Sequence, residues 1–512
     1  MKNLSYLLKP VVIIICLLWY SHSNANNLSI SNLQLTGQNT SAGSGSTSNY
    51  ILVQFDLSWE NSFRDTVNWD AVWVYIKYKT SSGTTWKHAT LSITGNTAPS
   101  GSTISVPTDK KGAFIYRSDT GSGTFSLTAV QLKWYYALDT IGDDDTYDIK
   151  VMGCEMVYVP QATYSLGAGG GSESYTFYKY GSSSYGSYSV SSESAITMGT
   201  SSGNLYARGY GPSATLSASF PKGYQAFYCM KYEISQGQYL EFLNCLTRTQ
   251  QNYNVNCTLS ADAPSKAYVL SNYATLLNRN YLTCPTSGNG TTNPVVFTCT
   301  APTLVCNMLS WQEVAAYLDW SALRPITELE YEKACRGHQT PTSQEFAWGT
   351  TSPGTGNYNL SYRTTDSEYV SNASSSSSTS NCIYSATAAG SSMDGKTRCG
   401  VFANSSSNRT TSGASYYGIM ELSGSVWERV VGIYTSTGRS FTGSHGDGNI
   451  TSGGYANNSD WPGYSSGNIT GGTGSAYRGG SMSYGTDRLR VSDRNWAGST
   501  DYAKHQGRGG RG

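Results

Sequence analysis

The sequence predicts a β-rich chain with an N-terminal all-β sandwich, followed by a region in which short capped helices pack on a sheet. Three observations carry this. The charged fraction is 13% against 55 Gly and 40 Tyr, a balance that suits strands and long ordered loops better than helical bundles. From about Leu28 to Lys150 apolar and polar residues alternate with period two. Beyond Cys154, three segments carry a Ser or Thr followed three residues later by Gln or Glu, the capping-box spacing. At 512 residues the chain has room for two or three domains, and its net charge of +1 gives no electrostatic reason for a nucleic-acid or membrane-surface partner.

Residues 1–25 read as a secretory signal: Lys2 and Lys9, an apolar run from Val11 to Tyr20, then Ser23-Asn24-Ala25 before a cleavage point. The apolar run is shorter than the ~20 residues a spanning helix needs, so no stable membrane span is expected after cleavage. The expected location is extracellular, cell-surface or periplasmic. Residues 28–150 form the expected sandwich, on strands such as Tyr50–Trp59, Val72–Tyr78 and Phe125–Trp134 separated by Gly/Ser/Asn turns. Asp143-Asp144-Asp145 lacks alternating ligand spacing and reads as a solvated acidic turn.

The second domain is expected over 154–512, with Gly/Ser/Tyr-rich insertions at about 165–219, 250–300 and 350–410. Its capping boxes are Ser235-x-x-Gln238, Ser310-x-x-Glu313 and Thr327-x-x-Glu330, and each precedes an apolar stripe: Tyr239, Phe242 and Leu243; Val314, Tyr317 and Leu318; Tyr331, Ala334 and Cys335. Arg336 and Gly337 fit the last turn and stop of the third helix. Once Cys16 leaves with the signal, ten cysteines remain, an even number that permits disulfides in an exported chain, with Cys257, Cys284 and Cys299 the best placed.

The order of the motifs resembles the formylglycine-generating-enzyme, or sulfatase-modifying-factor, family. The pieces are Met156-Val157-Tyr158-Val159-Pro160, Met230-Lys231-Tyr232-Glu233-Ile234-Ser235, Leu309-Ser310-Trp311, Arg324-Pro325-Ile326-Thr327-Glu328-Leu329-Glu330, Gly418-Ile419-Met420-Glu421-Leu422-Ser423-Gly424 and Arg478-Gly479-Gly480-Ser481. The resemblance implies an irregular α+β fold related to that of C-type lectins. It also implies, in catalytic members, a copper-binding cysteine pair soon after the Gly-Gly-Ser turn that oxidises a substrate cysteine to formylglycine. No cysteine follows Cys399 here, so copper is not expected. The related iron enzymes that make sulfur-containing histidine derivatives need three histidines, and His22, His88, His338, His445 and His505 show no ligand spacing. Some members bind calcium near a Gly-Asn-x-Trp-Glu-Trp turn. The matching segment, Gly424 to Arg429, keeps Gly424 and Glu428 and lies near Glu421, which leaves Ca2+ as a candidate beside the simpler reading that Glu428 pairs with an arginine such as Arg494.

No His-Glu-x-x-His motif occurs. The leading functional expectation is therefore an exported, non-catalytic ligand-binding or cell-surface structural module whose partner is an extracellular protein or glycan. The candidate surface is Ser483, Tyr484, Thr486, Asp487, Asn495, Trp496, Asp501 and Tyr502, a mix of aromatic area and adaptable hydrogen bonding. Two alternatives stand beside it: a metal-dependent oxidase or oxygenase with an unrecognised site, and a diversity-generating type of variable ligand-display protein.

Overall fold

The computed structural model describes residues 27–512 apart from 82, 171–172, 183–184, 260–261, 286, 288, 389–392 and 502. The expected signal segment and Tyr502 lie outside the described residues. Strands dominate and helices are short. The N-terminal strands are β1 (Ser29–Asn39), β2 (Tyr50–Arg64), β3 (Asp70–Thr80), β4 (Lys87–His88), β5 (Ser102–Ser105), β6 (Ala113–Arg117), β7 (Gly121–Trp134) and β8 (Tyr147–Val159). One sheet has the order β1-β2-β7; the other runs from strand Phe227–Met230 through β8, β3 and β6 to β5, with β4 paired to β3.

The first sheet follows its alternation. In β2, Ile51, Val53, Phe55, Leu57 and Trp59 point inward and are buried, while the residues between them are partly exposed. They share one core with Val72, Val74, Ile76 and Ile149 of the second sheet. The second sheet departs from the period-two expectation, because β3 is buried from Asp70 to Tyr78 on both faces. Its other face presents Trp73 and Tyr75, with Met152, Cys154 and Met156 of β8, to the C-terminal helices. A strand covered on both sides loses the polar alternation that marks a half-exposed one.

β8 also runs without a break through residues 150–154, where the sequence suggests a domain boundary. It pairs with β3 from Tyr147 to Val157 and with Phe227–Met230 from Met156 to Val159. Where these strands meet, Lys231 Nζ donates to Asp70 (2.8 Å), Glu155 (3.1 Å) and the Asn61 carbonyl (2.9 Å). Burial pushes Glu155 up to about 8 against the pull of Lys231, and its Oε1 has no partner.

The longer helices of the C-terminal region are α1 (Gln236–Leu243), α2 (Arg248–Asn254), α3 (Trp311–Trp320) and α4 (Glu328–Arg336). The boxes at Ser235 and Thr327 close in both directions. At Ser310 only the Glu313 carboxylate closes onto the amide, at 2.7 Å, and the Ser310 hydroxyl has no partner. α2 straddles the start of the expected 250–300 insertion and begins from an overlooked box, Thr247 with Gln250. The 165–219 insertion carries three interleaved two-stranded antiparallel sheets, one of which gathers Tyr178, Tyr180, Tyr185 and Tyr206.

α4 is enclosed on every side, its charged face as well as its apolar stripe, since every residue from Glu328 to Arg336 is buried. Its charges are paired: Glu328 takes Arg494 at 2.7 Å and Arg478 at 3.4 Å, and Glu332 takes Arg478 at 2.7 Å and Arg336 at 3.3 Å. Arg336 does not serve its own helix end; it reaches Glu345 and the carbonyls of Ser165 and Gly167. The expected disulfides do not form. All ten described cysteines are free and nine are buried, filling apolar space as small hydrophobic side chains.

Candidate ligand-binding surface

A three-stranded sheet frames the C-terminal surface: Trp427–Val431 lies between Ser475–Arg478, antiparallel, and Arg508–Gly510, parallel. The chain leaves the edge strand through Gly479 (φ +89°) and Gly480 (φ +73°), and a Cβ on Gly480 would lie 2.8 Å from Leu489 and 2.9 Å from the Arg488 carbonyl. Glycine is therefore required to fold the next segment back. That segment is pinned from both sides: the Met482 amide donates to Ser425 O (2.9 Å), and the Ser385 amide donates to Tyr484 O (3.0 Å). A short 3-10 turn, Thr486–Arg488, follows.

Tyr484 joins an aromatic cluster. Its ring lies 5.3 Å from Trp427 and 6.3 Å from Trp496, and Trp427 lies 6.1 Å from Tyr477. The edge-on angles are those aromatic pairs prefer. Cations flank it: Arg429 sits 3.8 Å over the Tyr477 ring and Arg508 at 5.0 Å. Burial lowers Arg429 to about 10, so it stays charged at neutral pH. Asp501 ties the rim, its carbonyl accepting from Arg429 at 2.6 Å and its carboxylate pairing with Arg508. The Trp496 indole N–H is buried without an acceptor. An unmet buried donor costs about 1–3 kcal/mol, which an acceptor on a ligand would relieve.

The expected surface residues divide. Tyr484 and Trp496 meet, with Asp501 at their rim, whereas Asp487 and Asn495 line a separate polar cleft of about 350 Å³ with Arg488, Asp493 and Glu173. There Arg488 lies 3.4 Å from Asp493, and burial still pushes Asp493 up to about 6. Ser483 is exposed, Thr486 is half-buried in the 3-10 turn, and Tyr502 is outside the described residues. Trp427, Arg429, Tyr477 and Arg508 were not foreseen. The signal for two of them was present, because Trp427 and Arg429 are two apart on a strand and share a face, and Arg429 then pairs in register with Tyr477.

The calcium candidates sit beneath this surface. Glu421 (φ +58°) accepts from the Gly400 amide at 2.6 Å, and Glu428 accepts from Arg511 at 2.6 Å, not from Arg494, which is committed to Glu328. The second oxygen of each has no partner. Glu233 holds the adjoining turn, accepting from the Ser425 hydroxyl (2.8 Å) and the Val426 amide (3.1 Å). Gly424 is structural, since a Cβ there would lie 2.5 Å from the Ile383 carbonyl. Arg511 thus supplies positive charge among these carboxylates, and burial raises Glu421 to about 7 despite it. Among the described residues no three His, Cys, Asp or Glu side chains gather as a metal site.

After Ser481 the chain offers hydroxyl, carboxylate, phenol and indole groups, with Met482 as its single thioether and His505 as its single imidazole, and no thiolate pair. The thiols elsewhere are held neutral by burial, Cys229 and Cys257 near 12 and Cys245, Cys284 and Cys299 near 11. The histidines are dispersed: His88 stacks on Tyr75, His338 packs on Tyr416, and His445 lines an apolar cavity of about 250 Å³.

The family model described as sulfatase-modifying factor enzyme 1-like domain matches residues 198–508. That span holds α1 to α4, the three-stranded framing sheet except its last two residues, and the Gly-Gly-Ser turn. No curated protein matches the chain.

Proposed function

The chain belongs to the sulfatase-modifying factor enzyme 1-like family, and on that premise we propose that it is an exported, non-catalytic member that binds an extracellular protein or glycan through its C-terminal aromatic surface. The observation that carries this reading is the content of the segment after Gly479-Gly480-Ser481. Where the family's oxidases place their thiol pair, this chain places Tyr484, which packs with Trp427 and Trp496 around an indole N–H without an acceptor. No cysteine follows Cys399 to bind a soft metal. Rigid aromatic area beside adaptable polar groups suits ligand contact.

The N-terminal sheets, read as a sandwich, serve as a fixed support, since β8 belongs to the same sheet as Phe227–Met230. Export rests on residues 1–25 of the sequence. No helix among the described residues is long and apolar enough to cross a membrane.

The test uses the full mature chain on arrays of extracellular glycans and proteins, with Tyr484→Ala and Trp496→Ala as variants. Binding that falls at least about tenfold in both supports the proposal. Unchanged binding in both refutes it. Metal analysis of the purified chain separates the alternative reading: stoichiometric copper or iron, with oxidation of a cysteine peptide, would establish an oxidase or oxygenase instead. For calcium, the expected result is a melting temperature unchanged by chelator, because Arg511 already supplies a cation to Glu428.

A further inference from the structure

We propose that the cleft between the N-terminal sheets and the 398–418 loops is a second binding site, for a neutral carbohydrate, separate from the surface around Trp496. The cleft encloses about 950 Å³. That is the upper end of the ~300–1,000 Å³ typical of small-molecule sites. One wall is the end of β2 from Glu60 and the turn that follows it to Asn68; the other is formed by Asn404 to Met420.

The walls are fixed to one another. Asn68 Nδ2 donates across to the Tyr417 carbonyl at 2.9 Å. Lys231 closes the floor, held by Asp70, Glu155 and the Asn61 carbonyl. A site with tied walls loses little freedom when a ligand enters.

The lining selects the class. Phe63 and Tyr416 offer aromatic faces, and Asn61, Asn404, Asp65 and Asp366 offer mixed donors and acceptors. A sugar needs both, since its hydroxyls donate and accept at once while its C–H face stacks on rings. Anionic ligands fit poorly because the cations are committed. Arg398 donates to the carbonyls of Glu368 (3.0 Å) and Cys399 (3.2 Å), and Arg409 donates to Ala347 O (2.8 Å) and lies 5.4 Å from the Tyr416 ring. Carboxylates at Glu60, Asp65 and Asp366 face the same space and repel a second anion.

Two further groups point to a ligand. Tyr232 and Tyr417 line the cleft at 2% and 3% exposure, and neither hydroxyl has a hydrogen-bond partner. A buried phenol left unmet costs free energy that a ligand hydroxyl recovers.

The experiment titrates the full mature chain with maltotriose, mannotriose, chitotriose and galactotriose, by calorimetry and saturation-transfer NMR. At least one is expected to bind with a Kd of about 1 mM or tighter. Ser405→Trp, at an exposed lining position, fills the mouth of the cleft and should weaken that sugar at least about tenfold. Tyr416→Ala should do the same, while Trp496→Ala should leave it within about twofold. Melting curves confirm the fold, and if Tyr416→Ala does not fold, Ser405→Trp decides alone. Absence of binding by all four sugars, or unchanged affinity in Ser405→Trp, overturns the proposal. So does loss of the sugar in Trp496→Ala alone, which would move it to the C-terminal surface.

Discussion

The N-terminal sheets and the C-terminal region bury their interiors by opposite means. Between the two N-terminal sheets the core is apolar, built from residues such as Val53, Trp59, Ile76 and Trp134. In the C-terminal region the fully buried side chains include Arg279, Arg336, Arg478, Arg494 and Arg511, each facing a carboxylate from elsewhere in the chain. An apolar core tolerates changes that keep its volume; a buried ionic one requires that its charges balance. The two designs should therefore fail differently.

The largest expected effect is Arg511→Leu. It removes the cation from Glu428, next to Glu233 and Glu421, and leaving buried carboxylates unpaired costs about 3–5 kcal/mol, read as a lower urea midpoint. Ile76→Ala in β3 opens a cavity in the apolar core, at about 2–5 kcal/mol. That loss should be the same in low and high salt, and a strong salt dependence would break the contrast between the regions.

Next comes pH at the junction. The folded state holds Glu155 near 8, above its ordinary value, so folding favours the protonated form. Stability from this group is full below the unfolded carboxylate range and is lost as pH rises toward 8. Glu155→Gln should remove that decline, gaining about 1 kcal/mol or more on the wild type between pH 5 and 8 in thermal melts. The smallest effect separates two caps. Thr327→Ala loses a closed box and should cost about 1 kcal/mol, whereas Ser310→Ala loses a hydroxyl without a partner and should cost a few tenths at most.

Local patterns were legible and long-range ones were not. The boxes at Ser235 and Thr327 and the alternation of β2 each follow from a few adjacent residues. The double burial of β3 does not, because Val72–Tyr78 is covered by helices more than 150 residues away. At the candidate surface, Tyr484 and Trp496 come from one C-terminal stretch of sequence, and their rings lie 6.3 Å apart. Trp427 and Arg508 arrive through strand pairing, which period alone does not specify. An arginine partner for Glu428 was expected, with Arg494 as the example, and the fold supplies one but gives Arg494 to Glu328 and Arg511 to Glu428.

β8 also bears on how this protein can be divided. Its long edge is occupied by β3 and its far end by Phe227–Met230. A cut near residues 150–154 would release a fragment with a row of unanswered amides and carbonyls beside exposed Trp73 and Tyr75, the kind of edge that recruits another copy. A truncation made there should yield aggregate from both halves, read as loss of soluble protein, because each half keeps only part of a shared sheet.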